Sequence, residues 1–251
     1  MRLPANNRGH RPRKTVEMRT LVISDIHANI DALRAIDEPC DQVLCLGDIV
    51  DYGPEPAACI DYLKDLTVPL LRVRGNHDNA VAFRVDCACG EAYKHLSVET
   101  REYMWEVLDD DRLTWLGEPA TSVELDSGGK RVLAVHAAPS DNLFKYLTPD
   151  TSEKEIADEL AATDASIVLT GHSHRPFTRQ PGGRLLVNVG SVGQPRDGIP
   201  QVSYAVLDDG RVELKRIGYD VEAVVAKLEA LPLKPRTIEE LVYILRHGQT
   251  P

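Results

Sequence analysis

Five short apolar runs recur along the chain, and each ends in polar residues. Leu21-Val22-Ile23-Ser24 runs into Asp25-Ile26-His27, and Val43-Leu44-Cys45-Leu46 into Gly47-Asp48-Ile49-Val50-Asp51. Leu70-Leu71-Arg72-Val73 leads to Gly75-Asn76-His77-Asp78, Val132-Leu133-Ala134-Val135 to His136, and Ile167-Val168-Leu169-Thr170 to Gly171-His172-Ser173-His174. Short β-rich runs of this kind predict buried strands. In the first half they alternate with helical patterns: strands over 20–26, 42–46 and 68–73, helices over 29–36 and 56–66, the second opened by Pro56. Such alternation predicts βαβ units and a parallel portion of sheet. A longer helix is expected over 92–108, with Tyr93, Leu96, Tyr103, Met104, Val107 and Leu108 as its apolar positions.

From Thr121 the pattern shifts toward hairpins. Strand-like segments at 121–125, 131–136, 166–170, 184–189, 204–207 and 212–217 are separated in several places by turn sequences such as Ser127-Gly128-Gly129 and Asp208-Asp209-Gly210. Helices interrupt at 152–162 and close the pattern at 221–231. Two packed sheets with helices outside satisfy this order. With no Gly/Ser linker, repeat or low-complexity segment, one domain over 19–231 is the simplest division. Residues 1–18 are expected to be a disordered basic arm, and 232–251 a C-terminal tail.

The chemistry follows from where the strands end. In open α/β sheets, ligands gather at the carboxyl ends of the strands. Five such ends deliver Asp, His and Asn to one edge, a set of hard oxygen and imidazole donors suited to one or two divalent metal ions. The formal net charge of −10 argues against long nucleic acid or an anionic membrane as partner. No apolar stretch approaches membrane-spanning length, and the first 19 residues have no apolar centre, so neither a spanning helix nor a secretory leader is expected. Five cysteines, an odd number, point to reduced thiols and a cytoplasmic location. Cys87-Ala88-Cys89 has no second pair at metal-ligand spacing and is set aside as a soft-metal site.

Taken together, Asp-x-His, Gly-Asp-x-x-Asp, Gly-Asn-His-Asp, a lone His after a strand and Gly-His-x-His resemble the calcineurin-like metallophosphoesterases. Each motif is weak alone; five in this order at strand ends are specific. Ser24-Asp25-Ile26-His27-Ala28-Asn29 and Asn188-Val189-Gly190-Ser191-Val192-Gly193-Gln194-Pro195-Arg196 look most like the small bacterial and archaeal phosphodiesterase branch. The resemblance implies an α/β fold, a four-layer α/β/β/α sandwich of two mixed sheets flanked by helices. It implies two divalent ions, with Mn²⁺ the first choice and Fe, Zn or Ni also accommodated. Asp25, His27 and His174 would hold one ion, Asn76, His136 and His172 the other, and Asp48 would bridge them. His77 would protonate the leaving oxygen, and Asp51 would orient it. Asp78 is expected to cap the helix that follows.

The same resemblance implies hydrolysis of phosphodiesters, phosphomonoesters or dinucleoside polyphosphates, with a phosphorylated small molecule or nucleotide as partner. Oligomeric state stays open. Serine/threonine phosphoprotein phosphatases of the family carry Gly-Asp-x-x-Asp-Arg-Gly and Gly-Asn-His-Glu; here Tyr52 replaces the arginine and Asp78 the glutamate, which weakens that alternative. A non-catalytic scaffold on the same fold is the other alternative, and the presence of His77 argues against it. Arg196, in a glycine-rich loop, is a candidate phosphate-binding residue, with pairing to an acid such as Asp197 as the competing reading. Tyr52 is a candidate for stacking on a base, with packing equally open. Residues 139–151, following His136, are placed to overhang the metals. Arg246-His247-Gly248 resembles a histidine-phosphatase signature but lacks the downstream residues that signature needs. His10, His95 and His247 are read as ordinary surface or core histidines.

Overall fold

Each strand in the middle of the fold is apolar on both faces because each sheet is covered on both sides. The computed structural model describes residues 18–251; the expected basic arm, apart from Met18, and His10 lie outside the described residues. In chain order, the first half holds β1 (Thr20–Ile23), α1 (Ile30–Arg34), β2 (Gln42–Cys45), α2 (Pro56–Lys64), β3 (Leu70–Arg72), α3 (Asn76–Phe83), α4 (Glu91–Val107) and α5 (Asp110–Gly117). The second half holds β4 (Ser122–Ser127), β5 (Lys130–Val135), α6 (Glu153–Ala161), β6 (Ile167–Thr170), β7 (Phe177–Arg179), β8 (Leu185–Asn188), β9 (Val202–Asp208), β10 (Arg211–Ile217), α7 (Val221–Glu229) and α8 (Pro235–His247).

One sheet runs β10-β9-β1-β2-β3 and the other β4-β5-β6-β8-β7. β1, β2 and β3 are parallel, and β9 joins antiparallel to β1 and β10. β5, β6 and β8 are parallel, with β4 and β7 antiparallel at the edges. Both sheets are therefore mixed, as expected. Alternate residues of one strand serve different layers. Leu21 and Ile23 pack with Ile30, Leu33, Ile60 and Leu63 of α1 and α2. Val22 and Leu44 face the other way, onto Val132, Ala134, Ile167 and Leu169 of the second sheet. Leu133, Val135 and Val168 then cover Ile156 and Leu160 of α6. These three apolar interfaces make the four-layer α/β/β/α sandwich.

Residues 235–247 correct the expected tail. They form α8, in which Leu241, Ile244 and Leu245 are buried with Val224, Val225 and Leu228 of α7 and with Tyr52 and Leu96. The reason is legible locally. Pro235 opens the helix, the apolar residues follow at i, i+3 and i+4, and Gly248 closes it in the left-handed conformation (φ 64°). α5 and β7 are also unanticipated. α5 is capped by the Asp109 carboxylate, which accepts from the Arg112 N–H at 2.9 Å. The buried face of α4 is Leu96, Ser97, Thr100, Arg101 and Met104, whereas Val107, expected inside, is exposed. Among the described residues no helix is long and apolar enough to cross a membrane.

Candidate metal centre

Asp25 follows β1, Asp48 follows β2, Asn76 and His77 open α3 just beyond β3, His136 follows β5, and His172 and His174 follow β6. The carboxyl ends of both sheets thus meet at one place. The backbone there is unusual. Asp25, His27, Asp48, Asp51, Tyr52, His172 and His174 all have φ between 46° and 67°. The left-handed region costs a non-glycine residue roughly 1–2 kcal/mol, and such residues cluster where side chains must be aimed. The strain is held by cross-bonded loops: the N–H groups of Asp25, His27 and Ala28 donate to the carbonyls of Gly47, Asp48 and Ile49 at 2.8–3.0 Å. Gly75 is required by close approach, since a Cβ there would lie 2.1 Å from Asp48 Oδ1.

Asp78 does more than the expected capping. Its carboxylate accepts from Gly75 N–H at the start of α3, and also from the N–H groups of Asp48 and Ile49 at 2.8 Å. It therefore ties the β2 loop to the helix that carries Asn76 and His77. Burial, then the nearby Asp48 charge, pushes the Asp78 carboxyl up to about 6.

The structure brings together every residue assigned to the metal set. Asp25, His27 and His174 place one ligating atom each within 4.8 Å of one another, as do Asp48, His136 and His172. Asp48 lies between the groups: Oδ2 is 3.2 Å from His136 Nε2 and 3.8 Å from His27 Nε2, while Oδ1 accepts from the His77 N–H. Asn76 donates Nδ2–H to the Cys87 carbonyl at 2.8 Å, which turns Oδ1 toward His136 Nε2, 2.9 Å away.

Each of the four histidines has its outer nitrogen beside a backbone carbonyl. His27 Nδ1 meets Val50 O at 2.8 Å, His136 Nδ1 meets Leu46 O at 2.9 Å, His174 Nδ1 meets Gln194 O at 2.5 Å, and His172 Nε2 meets Phe144 O at 3.2 Å. Carbonyls only accept, so the hydrogen-bond network places a proton on each outer nitrogen. The inner nitrogens then face each other, His27 to His174 and His136 to His172, both at 3.1 Å. Asp25 Oδ1 and Asp48 Oδ2 are buried in the same place without a hydrogen-bond partner. Converging lone pairs with nothing to accept from are what a cation satisfies, so these donors fit divalent metal ions.

Electrostatics agree for three of the four imidazoles. Burial, reinforced by neighbouring His174, holds His27 well below its ordinary value; burial and His136 do the same to His172, and burial and Arg196 to His174. In these three the neutral imidazole is therefore the favoured form. Burial also opposes charge on His136, but Asp48 outweighs it and lifts His136 to about 9. Burial works against the Asp48 carboxylate too, yet His136 and His77 hold it well below the usual range.

His77 stands beside this group. Its Nδ1 lies 2.6 Å from Asp51 Oδ2, and Nε2 lies 3.4 Å from the Tyr52 hydroxyl. Burial disfavours the imidazolium, but the Asp48 charge and the Asp51 hydrogen bond prevail and raise His77 to about 9. Arg101, which the sequence reading missed, lies 3.5 Å from Asp51 Oδ2 and is only 5% exposed. An arginine on the apolar stripe of α4 was the available signal. Cys87 and Cys89 complete this pocket. Their mutual hydrogen bond pulls the Cys89 thiol down to about 6 and pushes that of Cys87 up.

Arg196 carries its guanidinium over the Tyr93 ring, 3.5 Å from the centroid, with Gln194 Oε1 accepting from it. The competing reading is corrected: Asp197 pairs with Arg216, and among the described residues no carboxylate pairs with Arg196. The expected stacking face on Tyr52 is not there. Its ring packs against His27 and His77 at 4.8 and 4.9 Å and is 2% exposed, so no base can reach it. Residues 139–151 do overhang the centre, with Tyr146 packed on the His172 ring at 3.9 Å. His95 pairs with Glu240, and His247 bonds its own helix at Tyr243 O.

A curated relative, an uncharacterized protein of Methanocaldococcus jannaschii, is 33% identical over 232 residues, covering 82% of this chain and 90% of that one. The crystal structure of a metallophosphoesterase from Sphaerobacter thermophilus is 29% identical, covers 92% of this chain and 99% of its own, and superposes with a TM-score of 0.75. A hypothetical protein from Pyrococcus horikoshii, 20% identical, shares the fold with a TM-score of 0.79 over 93% of this chain and 99% of its own. The family model for the calcineurin-like phosphoesterase superfamily domain matches residues 18–210, a span that contains every residue of the centre. The chain belongs to the calcineurin-like phosphoesterase superfamily and is a metal-binding hydrolase of phosphoric esters.

Proposed function

We propose that the chain hydrolyses small phosphodiesters, phosphomonoesters or dinucleoside polyphosphates at a dinuclear metal centre. Asp25, His27 and His174 would hold one ion, Asn76, His136 and His172 the other, and Asp48 both. The observation that carries this reading is the pair of opposed inner nitrogens, flanked by the unpartnered oxygens of Asp25 and Asp48. Mn²⁺ is our first choice, with Fe, Zn or Ni compatible with the same donors. When bound, a pair of divalent ions supplies activated water and withdraws charge from the phosphoryl oxygens.

The chain's own residues would do the rest. His77 holds a proton at Nε2 for the leaving oxygen, and Asp51 at Nδ1 fixes the ring and the tautomer. Arg101 lies behind Asp51, 3.5 Å from the same carboxylate oxygen that meets His77, and helps hold that carboxylate in place. Arg196, held over the Tyr93 ring and unpaired with any carboxylate among the described residues, would bind a phosphate oxygen. The 139–151 segment, braced on His172, would limit water around the substrate.

The test is hydrolysis of bis-p-nitrophenyl phosphate, p-nitrophenyl phosphate and diadenosine tetraphosphate by metal-stripped protein resupplied with Mn²⁺, beside His77→Ala. Expected is metal-dependent turnover at two ions per chain, falling about 10²–10⁴-fold in the variant with metal content unchanged. One ion per chain at full activity, or undiminished turnover in His77→Ala, would overturn the assignment.

A further inference from the structure

Beside the centre lies a second group of metal donors, of which the proposed reaction uses only His77. A ring nitrogen of His77 and the thiols of Cys87 and Cys89 lie within 4.8 Å of one another. Sequence spacing hid this, because the third donor sits ten residues before the cysteine pair, on a helix. Ala88 adopts the left-handed conformation (φ 49°), and the two thiols point to one side, each bonding Ser97 Oγ, at 3.4 and 3.2 Å. The thiols are buried, yet Ala88 and Gly90 on either side of Cys89 are exposed, so the group lies one layer beneath the surface.

A second observation concerns Arg101. Nε and Nη2 of this buried guanidinium have no hydrogen-bond partner among the described residues, and it lies against both cysteines. Its ion pair with Asp51 is loose at 3.5 Å and Nη1 reaches only the Val85 carbonyl, so this buried cation has room for more negative charge than Asp51 provides. Two thiolates supply it. With Arg101 and Asp51 counted, a divalent cation held by both thiolates and a neutral His77 leaves the pocket without net charge.

We propose that His77, Cys87 and Cys89 form a separate site for a thiophilic divalent cation such as Zn²⁺ or Cd²⁺, and that filling it inhibits the enzyme. Two sulfurs and one imidazole nitrogen are a soft donor set, with a fourth position left for water or an anion. The neighbouring centre offers only oxygen and imidazole, so the softer the cation, the more it favours the cysteine site over that centre. Whatever protons the two sulfurs and the ligating His77 nitrogen carry pass to solvent as the cation binds, and no electron is transferred. Inhibition follows because the cation occupies a nitrogen of His77; this consequence rests on the proposed role of His77 as proton donor. The Cys87 carbonyl also positions Asn76, so a shift of this turn reaches the main centre.

The experiment titrates Mn²⁺-loaded full-length protein with Cd²⁺, following both the thiolate-to-cadmium ultraviolet band and hydrolysis of bis-p-nitrophenyl phosphate. We expect one Cd²⁺ per chain to raise the band while turnover is lost in parallel. Cys87→Ser and Cys89→Ser should each abolish the band and weaken inhibition about tenfold or more. Cys45→Ser and Cys59→Ser, elsewhere in the core, should keep both. If Cys87→Ser does not fold, Cys89→Ser decides alone. Absence of the band, its survival in Cys89→Ser, or loss of turnover without it would overturn the site. A band that saturates while turnover persists would leave the site standing and overturn its link to His77. Where no turnover exists at all, the band still decides the site.

Discussion

Glu159, on α6, anchors the loop that braces His172, although it touches none of the candidate ligands. Its carboxylate accepts from Ser140 N–H at 2.9 Å, Ser140 Oγ–H at 2.6 Å and Lys145 Nζ at 2.6 Å, and the side chain is 3% exposed. Between these anchors and Tyr146, the chain places the Phe144 carbonyl on His172 Nε2. Glu159→Gln keeps the shape but sets an amide NH₂ against donors. A hydrogen bond to a charged group contributes about 1.5–3 kcal/mol, and three sharing one acceptor do not add, so the loss should be about 3 kcal/mol at neutral pH. In a domain of this size that lowers Tm by roughly 6–12 °C. Burial pushes the Glu159 carboxyl up, but Lys145 and Ser140 outweigh it and hold it below its ordinary value. A depressed carboxylate contributes its stability above the unfolded value of about 4.3, and loses it as pH falls through the folded value. Urea unfolding of both proteins at about pH 7 and again below about pH 4 should therefore show a gap that narrows on acidification. Affinity for the second metal should fall about 10–100-fold through the loosened His172. An equal gap at both pH values would refute the electrostatic reasoning and leave only packing.

Three further outcomes follow from the same geometry. Asp51→Asn should lower kcat about 10–100-fold with KM and metal content little changed, because it disturbs the tautomer of His77 and not the ligands; pre-steady-state and metal analysis check it. Gly75→Ala should drive Asp48 out of place, costing about 1–3 kcal/mol in thermal unfolding and abolishing uptake of at least one ion by calorimetry. Leu241→Ala, in the packed helix α8, should cost about 2–5 kcal/mol in chemical unfolding, whereas a peripheral tail would cost nothing measurable.

The features readable without coordinates share one cause. Asp25, Asp48, His136 and His172 each stand within three residues of the end of an apolar strand, and a strand that runs into polar residues must present them at the sheet edge. Period and polarity are local, so they survive in the sequence. α8 was equally local, with Pro235, the Leu241-Ile244-Leu245 stripe and Gly248 all present, yet the Arg-His-Gly run and its closeness to the chain end drew it into the tail. Tyr52 failed for a different reason. Its aromatic ring is suited to stacking, but whether a face is free depends on His27, His77 and the α7–α8 pair arriving from elsewhere.

What the sequence by itself determined is the inventory: the alternation that makes two mixed sheets, and the donor types that end their strands. What only the tertiary structure decided is convergence. Backbone carbonyls from Val50, Leu46, Gln194 and Phe144, none adjacent in sequence to the histidine it orients, turn four ring nitrogens inward. Arg101 finds Asp51 across 50 residues, and His77 meets Cys87 and Cys89 although nothing in their spacing marks a set. Local pattern records which residues a strand or helix buries. Which partners they meet, and in what protonation state, is set by packing between elements distant in the chain, where the low dielectric of the interior strengthens each interaction.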